Sequence, residues 1–420
     1  MKAMLALAGQ SAWNRRFVLV LVVLSIALST FLLVGIERIR VDVRDNFATS
    51  VSGTDLIVGA RTGAVQLMLY AVFHIGNASN NIRWRSVQAL AQNRAVAWTI
   101  PISLGDSHRG FPVVATSQAY FERFRYGDQT ALAFAQGRPF EKVFDAVLGA
   151  EVARRLGYKL GDRIVLSHGD GVLSTNDHAD KPFTVVGVLQ PTGTPVDRSV
   201  HIDLEGMEAI HIDWVAGAPL PGLTVPADQV GNYDLTPKNV TAVLVGLKSR
   251  AAVFSVQRWI SEYDGEPLMA VLPGVALDEL WDVVGIGERG LLAVSALVSL
   301  VSVAGLVAVI MTGLNERRRE LAILRAVGAG PRQVLLLLAA EGVLVTICGV
   351  VLGALASIVA TALLAGWVQT HFGIALHLRP PSTDEWLLLA GVLAGGSLAS
   401  LVPGYRAYRL SLADGLSPRI

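Results

Sequence analysis

Four histidines, His168, His178, His201 and His211, lie among Asp170, Asp177, Asp180, Asp203 and Asp213 near the middle of a 420-residue chain. Imidazole and carboxylate together are a donor set for divalent transition metals. The local spacing argues against such a site: in HIDLEGMEAIHID, His201 and His211 are ten residues apart, unlike the paired histidines on one face of a zinc-binding helix. No metal is therefore expected, with His201 and His211 the residues to hold against that expectation, and solvated loop histidines are the default. No Ser, His and Asp fall into a nucleophilic order, and no pair of acids stands out for acid–base work. A phosphate loop of the form G-x-x-x-x-G-K-[ST], whose amides and lysine would cradle nucleotide, is missing from the sequence. The chain is expected to be non-catalytic, with no cofactor of its own.

The arginines of Asn315 to Gly330, NERRRELAILRAVGAG, suggest recognition rather than catalysis. A helix from Glu316 to Val327, with Gly328 as its C-terminal cap and Pro331 opening the next helix, fits the pattern. Leu321, Leu324 and Gly328 then share one face, Arg318 and Arg325 another, and Glu316 with Arg319 and Arg317 with Glu320 can pair. Composition leaves two readings open: an interfacial helix whose arginines meet anionic lipid, or a docking helix for a protein partner.

The elements around that segment are apolar. The chain is 52% hydrophobic and 16% charged, against roughly 25% charged for a soluble domain. Phe17 to Ile36, Gly290 to Leu314, Val334 to Val368 and Trp386 to Val402 meet the requirement of about 20 apolar residues for crossing a bilayer. The first is read as an uncleaved span, because it is too long for a signal core and GIERIR offers no small-residue cleavage site. The third is too long to lie wholly in lipid, so Gln333 to Ala340 is expected at the interface. Net charge is only +1, which gives no bias toward nucleic acid. Lys2, Arg15 and Arg16 before the first span, the arginines after the second, and Arg406, Arg409 and Arg419 after the fourth place both termini inside. Arg38, Arg40 and Arg44 contradict this mildly, although Glu37, Asp42 and Asp45 alternate with them.

The expected division is a cytoplasmic N-terminus at 1–16, spans at 17–36, 290–314 and 386–402, and a docking helix at 315–332. An external domain fills 37–289, an interfacial segment plus the third span 333–368, a short outer loop 369–385 and a cytoplasmic tail 403–420. The fold class is a four-helix transmembrane bundle carrying a large mixed α/β domain between its first two spans. Strands are expected at Asp55 to Val58, Phe111 to Ala115, Arg163 to Leu166, Phe183 to Leu189 and Thr241 to Leu247. Helices are expected at Ser117 to Tyr126, Ala146 to Leu156 and Ala251 to Tyr263. The turn formers from Gly169 to Asp180 predict an exposed loop, and an outer part from Trp98 to Trp214 is set against the flanks. With the lone cysteine, Cys348, inside a span, packing must stabilise the external domain.

Within the spans, Gly349 with Gly353 and Gly391 with Gly395 form G-x-x-x-G pairs, which serve either packing inside the chain or a seam with a second copy. Glu341 is the acid of the third apolar stretch, expected to face protein or the interface in a structural hydrogen bond rather than to relay protons.

ERRRELAILRAVGAGPRQV, followed by an apolar helix containing Glu341, resembles the signature of FtsX-like permeases of ABC transporters. VLGAEVARRLGYKLGD and KPFTVVGVLQPTGTPVDRSVHIDL resemble the MacB-type periplasmic core domain, and the matching pieces follow the family's order over nearly the whole chain. The resemblance implies a coupling helix seated in a separate cytoplasmic ATPase dimer, with Glu316, Arg317, Arg318, Glu320, Leu321, Leu324, Arg325, Val327 and Gly328 as coupling positions. ATP and Mg would sit on that partner. It further implies a bacterial inner-membrane location, a second permease copy, identical or homologous, and a periplasmic adaptor or substrate protein as further company. Expected activities are export or extraction of a lipoprotein, peptide or hydrophobic compound, with an FtsX-like regulator of a periplasmic enzyme or a metal-related permease as alternatives.

Overall fold

A computed structural model describes residues 16–76, 80–169, 177–215, 218–219, 225–316, 326, 328–372 and 376–409. Its helices are α1 (Arg16–Thr49), α2 (Ala64–Ala71), α3 (Trp84–Ala91), α4 (Ala119–Arg123), α5 (Ala150–Leu156), α6 (Leu204–Ile210), α7 (Val253–Ser261), α8 (Pro273–Glu316), α9 (Pro331–Phe372) and α10 (Thr383–Arg409). Helices α1, α8, α9 and α10 are long and apolar enough to cross a membrane. The chain separates into two units: Met1–Asp42, Gly285–Trp367 and Leu376–Ile420 form one, Val43–Val284 and Val368–Ala375 the other.

In the first unit, Val22, Ile26 and Val34 of α1 pack with Leu306 and Ile310 of α8, Val345 and Val350 of α9 and Leu389 of α10. Hydroxyl pairs join α1 to α8, with Ser25 Oγ 3.0 Å from Ser302 Oγ and Ser29 Oγ 2.5 Å from Ser299 Oγ. Such contacts stabilise helix pairs in lipid, where burying apolar surface gives no advantage. Helix α1 continues well past Ile36 into ERIRVDVRDNFAT. Hydropathy reports where lipid ends, not where a helix ends, and the Glu37 carboxylate accepting from Arg40 at 2.6 Å supports the polar turns.

The second unit is built on a twelve-stranded sheet. Its strands are β1 (Leu56–Ala60), β2 (Val96–Ser103), β3 (Asp106–His108), β4 (Phe111–Thr116), β5 (Phe134–Gly137), β6 (Asp145–Leu148), β7 (Arg163–Ile164), β8 (Ser167–His168), β9 (Phe183–Leu189), β10 (Val200–Asp203), β11 (Ala242–Leu247) and β12 (Leu268–Val271). Nine of them run in the order β7–β9–β6–β10–β4–β2–β11–β1–β12, while β3 joins β4 to β8 and β5 pairs with β9. Only β9 with β6 and β10 with β4 pair in parallel, which makes the sheet mixed.

Alternation along the strands separates two cores. Leu56, Val58, Val113, Ala115, Ala146, Leu148, Val243 and Val245 face one side, with α3, α5, α6 and α7. Ile57, Val114, Val147, Ala242 and Leu244 face the other, with α2 and α4. Because both faces are covered, these strands read as continuous apolar runs rather than an alternating pattern. The same fact corrects the helix expected over Ala146 to Leu156. Ala146 to Leu148 is central strand β6, and the chain breaks at Gly149, where a Cβ would come within 2.2 Å of the Val196 carbonyl. The expected boundary between an outer part and its flanks is also crossed, since β2 pairs with β11 on one side and β4 on the other.

Candidate functional site

The expected docking segment is framed by described structure. Helix α8 is described as far as Glu316, Gly328 takes the left-handed conformation (φ 105°) that favours glycine at a helix end, and α9 opens at Pro331 with the Gly330 amide donating to Gln333 Oε1 at 3.0 Å. Arg317, Arg318, Glu320, Leu321, Leu324, Arg325 and Val327 lie outside the described residues.

Inside the bundle, Gly349 and Gly353 bring α9 against α1: an added Cβ would come within 2.7 Å of Ile26 and 2.4 Å of the Ala27 carbonyl. A Cβ added at Gly391 or Gly395 of α10 would meet nothing within 4 Å among the described residues. The two G-x-x-x-G pairs therefore differ, the first serving intrachain packing. Glu341 is half-buried on α9. A charged belt surrounds the end of α1 beyond Ile36, where Arg38 meets Glu385 at 3.1 Å and Arg40 reaches Glu37, Glu288 at 4.0 Å and Asp384 at 3.8 Å. Arg38 and Arg40 are thus each partnered by acids.

The histidines separate sharply. His201 lies on β10 with no exposed surface, its ring 5.2 Å from Tyr120 and 6.2 Å from Phe121. Burial pushes its pKa down to about 3, so it is a neutral core residue. His211 belongs elsewhere, with His168, His178 and Asp106, whose ligating atoms all lie within 4.8 Å of one another. Strand pairing places His168 opposite Asp106, and His168 Nδ1 donates to Asp106 Oδ1 at 2.9 Å. His211 caps the C-terminal end of α6, donates through Nδ1 to the Met207 carbonyl at 2.9 Å, and sets Nε2 3.2 Å from His168 Nδ1 and 3.6 Å from Asp106 Oδ2. His178 is fully buried, 4.3 Å from the Trp214 ring and 4.9 Å from the His211 ring, with no hydrogen-bond partner at either nitrogen.

Electrostatics follow from this packing. Burial pushes the Asp106 carboxyl up, but the hydrogen bond with His168 and the nearby His211 imidazole outweigh it and bring the pKa down to about 2. Burial lowers His178 to about 4. At His211 burial is outweighed by the Asp106 carboxylate, so its pKa is raised. The default of solvated loop histidines is thus wrong for His178 and His201, which are core residues. The spacing missed the cluster because its members come from four separate segments, and its carboxylate is Asp106 rather than any of the nearby acids.

A cleft of about 290 Å³ also lies in the second unit, lined by Phe47, Phe73, His74, Phe111, Thr194 and Arg198. His74 holds a left-handed backbone (φ 53°), its Nδ1 lies 3.0 Å from Ser199 Oγ, and burial lowers its pKa to about 4.

Residues 19–263 match the MacB-like periplasmic core domain, and residues 292–412 match the FtsX-like permease C-terminal region. The chain belongs to the FtsX/MacB-type ABC transporter permeases. Members of this family are permease components that work with ABC ATPases and form dimers. The permease is similar to the periplasmic region of MacB from Actinobacillus actinomycetemcomitans at 12% identity, over 55% of this chain and 94% of that one, with a TM-score of 0.33. It is also similar to the extracellular domain of the noncanonic ABC-type transporter YknZ from Gram-positive bacteria at 13% identity, over 52% of this chain and 98% of that one, with a TM-score of 0.29. Among the curated proteins compared, none matches it.

Proposed function

We propose that this permease couples ATP hydrolysis on a separate cytoplasmic ATPase to movement of its periplasmic domain, for export or extraction of a lipoprotein, peptide or hydrophobic compound. It would sit in the bacterial inner membrane with both termini inside, paired with a second permease copy. The observation that supports this most is the continuity of α8. Its first turns place Ala276 and Leu277 in a core of the external domain, its later turns place Leu306 and Ile310 in the bundle core, and its described part reaches Glu316, within the docking segment of the sequence. Leu272 alone separates it from strand β12. Arg318 and Arg325 follow α8 directly in sequence, so a partner pressing there would act close to that helix. Coupling then needs only that the ATPase favour one arrangement of that element over another.

Charge reversal tests the docking role. Co-reconstitution of the permease with its ATPase in nanodiscs should show stimulated ATP turnover, and R318E/R325E should abolish it while membrane insertion persists. Unchanged stimulation in that variant, or ATP hydrolysis by the purified permease alone, would sink the assignment.

A further inference from the structure

We propose that Asp106, His168, His178 and His211 form a zinc-class metal site in the periplasmic domain, taking one divalent ion through three imidazoles and one carboxylate. The inference is independent of the coupling role and would stand if that role failed.

Donor geometry carries the proposal. A four-coordinate zinc ion with bonds of about 2.0 Å sets its donors about 3.3 Å apart. Three contacts in the cluster, at 2.9, 3.2 and 3.6 Å, already bracket that separation. All four donors fall within 4.8 Å, so modest inward rotation of the side chains completes a tetrahedron.

The donor chemistry agrees. Imidazole with carboxylate suits zinc, copper or nickel, whereas calcium and magnesium take oxygen ligands. With four protein ligands the site resembles a closed structural centre rather than a catalytic one with an open position. His178 supplies the independent sign of a ligand: it is fully buried beside Trp214, and neither nitrogen has a partner to repay its desolvation. A hydrogen bond from His211 Nδ1 to Met207 fixes the tautomer that leaves Nε2 as a lone-pair donor toward the centre, the usual role of a second-sphere carbonyl.

The scaffold is also built. Lys181, fully buried, donates to both carboxylate oxygens of Asp213 at 2.9 and 3.0 Å, which fastens the turn after His178 to the turn after His211. Asp213 is held in addition by the Val225 amide at 3.0 Å. Strand pairing of β3 with β8 holds the other two donors. The His168 and His211 side chains remain 36% and 25% exposed, so an ion can enter and leave from solvent.

Zinc titration of the full-length permease in detergent, stripped with chelator and then competed against a chromophoric zinc indicator, tests the site. One equivalent per chain is expected, with affinity lowered at least about 100-fold in H178A and H211A, more than typical second-sphere losses. H377A, at an exposed histidine outside the cluster, should bind as the parent does. Cobalt provides a readout that does not depend on the variants folding. The parent protein should give the intense visible bands of a four-coordinate ion, lost on adding zinc. Failure to bind zinc, a weak six-coordinate cobalt spectrum, or binding undiminished in a folded H178A/H211A variant would each overturn the proposal and leave a purely hydrogen-bonded cluster.

Discussion

Arg38 Nε donates to Glu385 Oε2 at 3.1 Å, joining α1 to the first turn of α10 across 347 positions of sequence, with both side chains almost fully buried. Arg379 approaches the other carboxylate oxygen, Glu385 Oε1, at 3.7 Å. Breaking a buried pair leaves an uncompensated charge, which costs about 3–5 kcal/mol, whereas replacing both partners by apolar residues is often neutral. E385Q should therefore lower the thermal unfolding midpoint of the detergent-solubilised permease, and R38M/E385L should recover most of the loss. Equal midpoints for E385Q and the parent would mean that the pair contributes nothing.

His201 and His178 make the periplasmic domain sensitive to acid. Both have folded pKa values depressed by burial, to about 3 and about 4, below the ordinary histidine value near 6.5. Above about pH 6.5 both are neutral, folded or unfolded, and add no pH dependence. Between there and about 4 for His178, and about 3 for His201, the unfolded chain takes up protons that the folded one refuses, so stability falls as pH falls by a few kcal/mol and levels off below the folded values. Tryptophan-monitored denaturation at a series of pH values should show this slope. H201L, which keeps an apolar side chain among Tyr120 and Phe121, should flatten part of it.

The two glycine pairs predict opposite outcomes. G353V in α9 would drive a side chain into the Ala27 carbonyl and Thr30 of α1, forcing the helices apart, so folded yield should fall severely. A Cβ added at Gly391 or Gly395 meets nothing within 4 Å among the described residues, so G391V and G395V should leave the folded yield unchanged. Size-exclusion profiles of the three variants after detergent extraction check both halves of this prediction.

Those pairs also mark what was legible in the sequence. The four long helices, the strand at Phe183–Leu189 and the mixed α/β domain follow from apolar run length and composition, which local chemistry controls. The histidine cluster did not, because pairing of Asp106 with His168 depends on strand register and the approach of His211 depends on where α6 docks. Ala146 to Leu148 reads as helix in the sequence for a related reason: a strand buried on both faces has no alternation, and only Gly149, against the Val196 carbonyl, marks where strand gives way to helix. The polar end of α1 is not legible in hydropathy, because it is held by ion pairs: one local, Arg40 with Glu37, and one buried, Arg38 with Glu385, hundreds of positions away.

Helix α8 supplies the last prediction. Between Leu277 in the periplasmic core and Leu306 in the bundle core it passes through Gly285, Ile286 and Gly287, and Ile286 is 70% exposed, so its side chain contributes little packing. Proline there removes a backbone hydrogen bond and clashes with the preceding turn, at a cost of about 3 kcal/mol or more and with a kink. If movement travels along α8, I286P should still insert and still co-purify with the ATPase, because Asn315 to Gly330 is untouched, yet lose stimulated ATP turnover. I286A, which keeps the helix straight, should retain it. G285A/G287A should raise the thermal midpoint, since each glycine in a helix interior costs roughly 0.5–1 kcal/mol relative to alanine. Full stimulation in I286P would show that force reaches the periplasmic domain by another element, leaving α1 as the next to break.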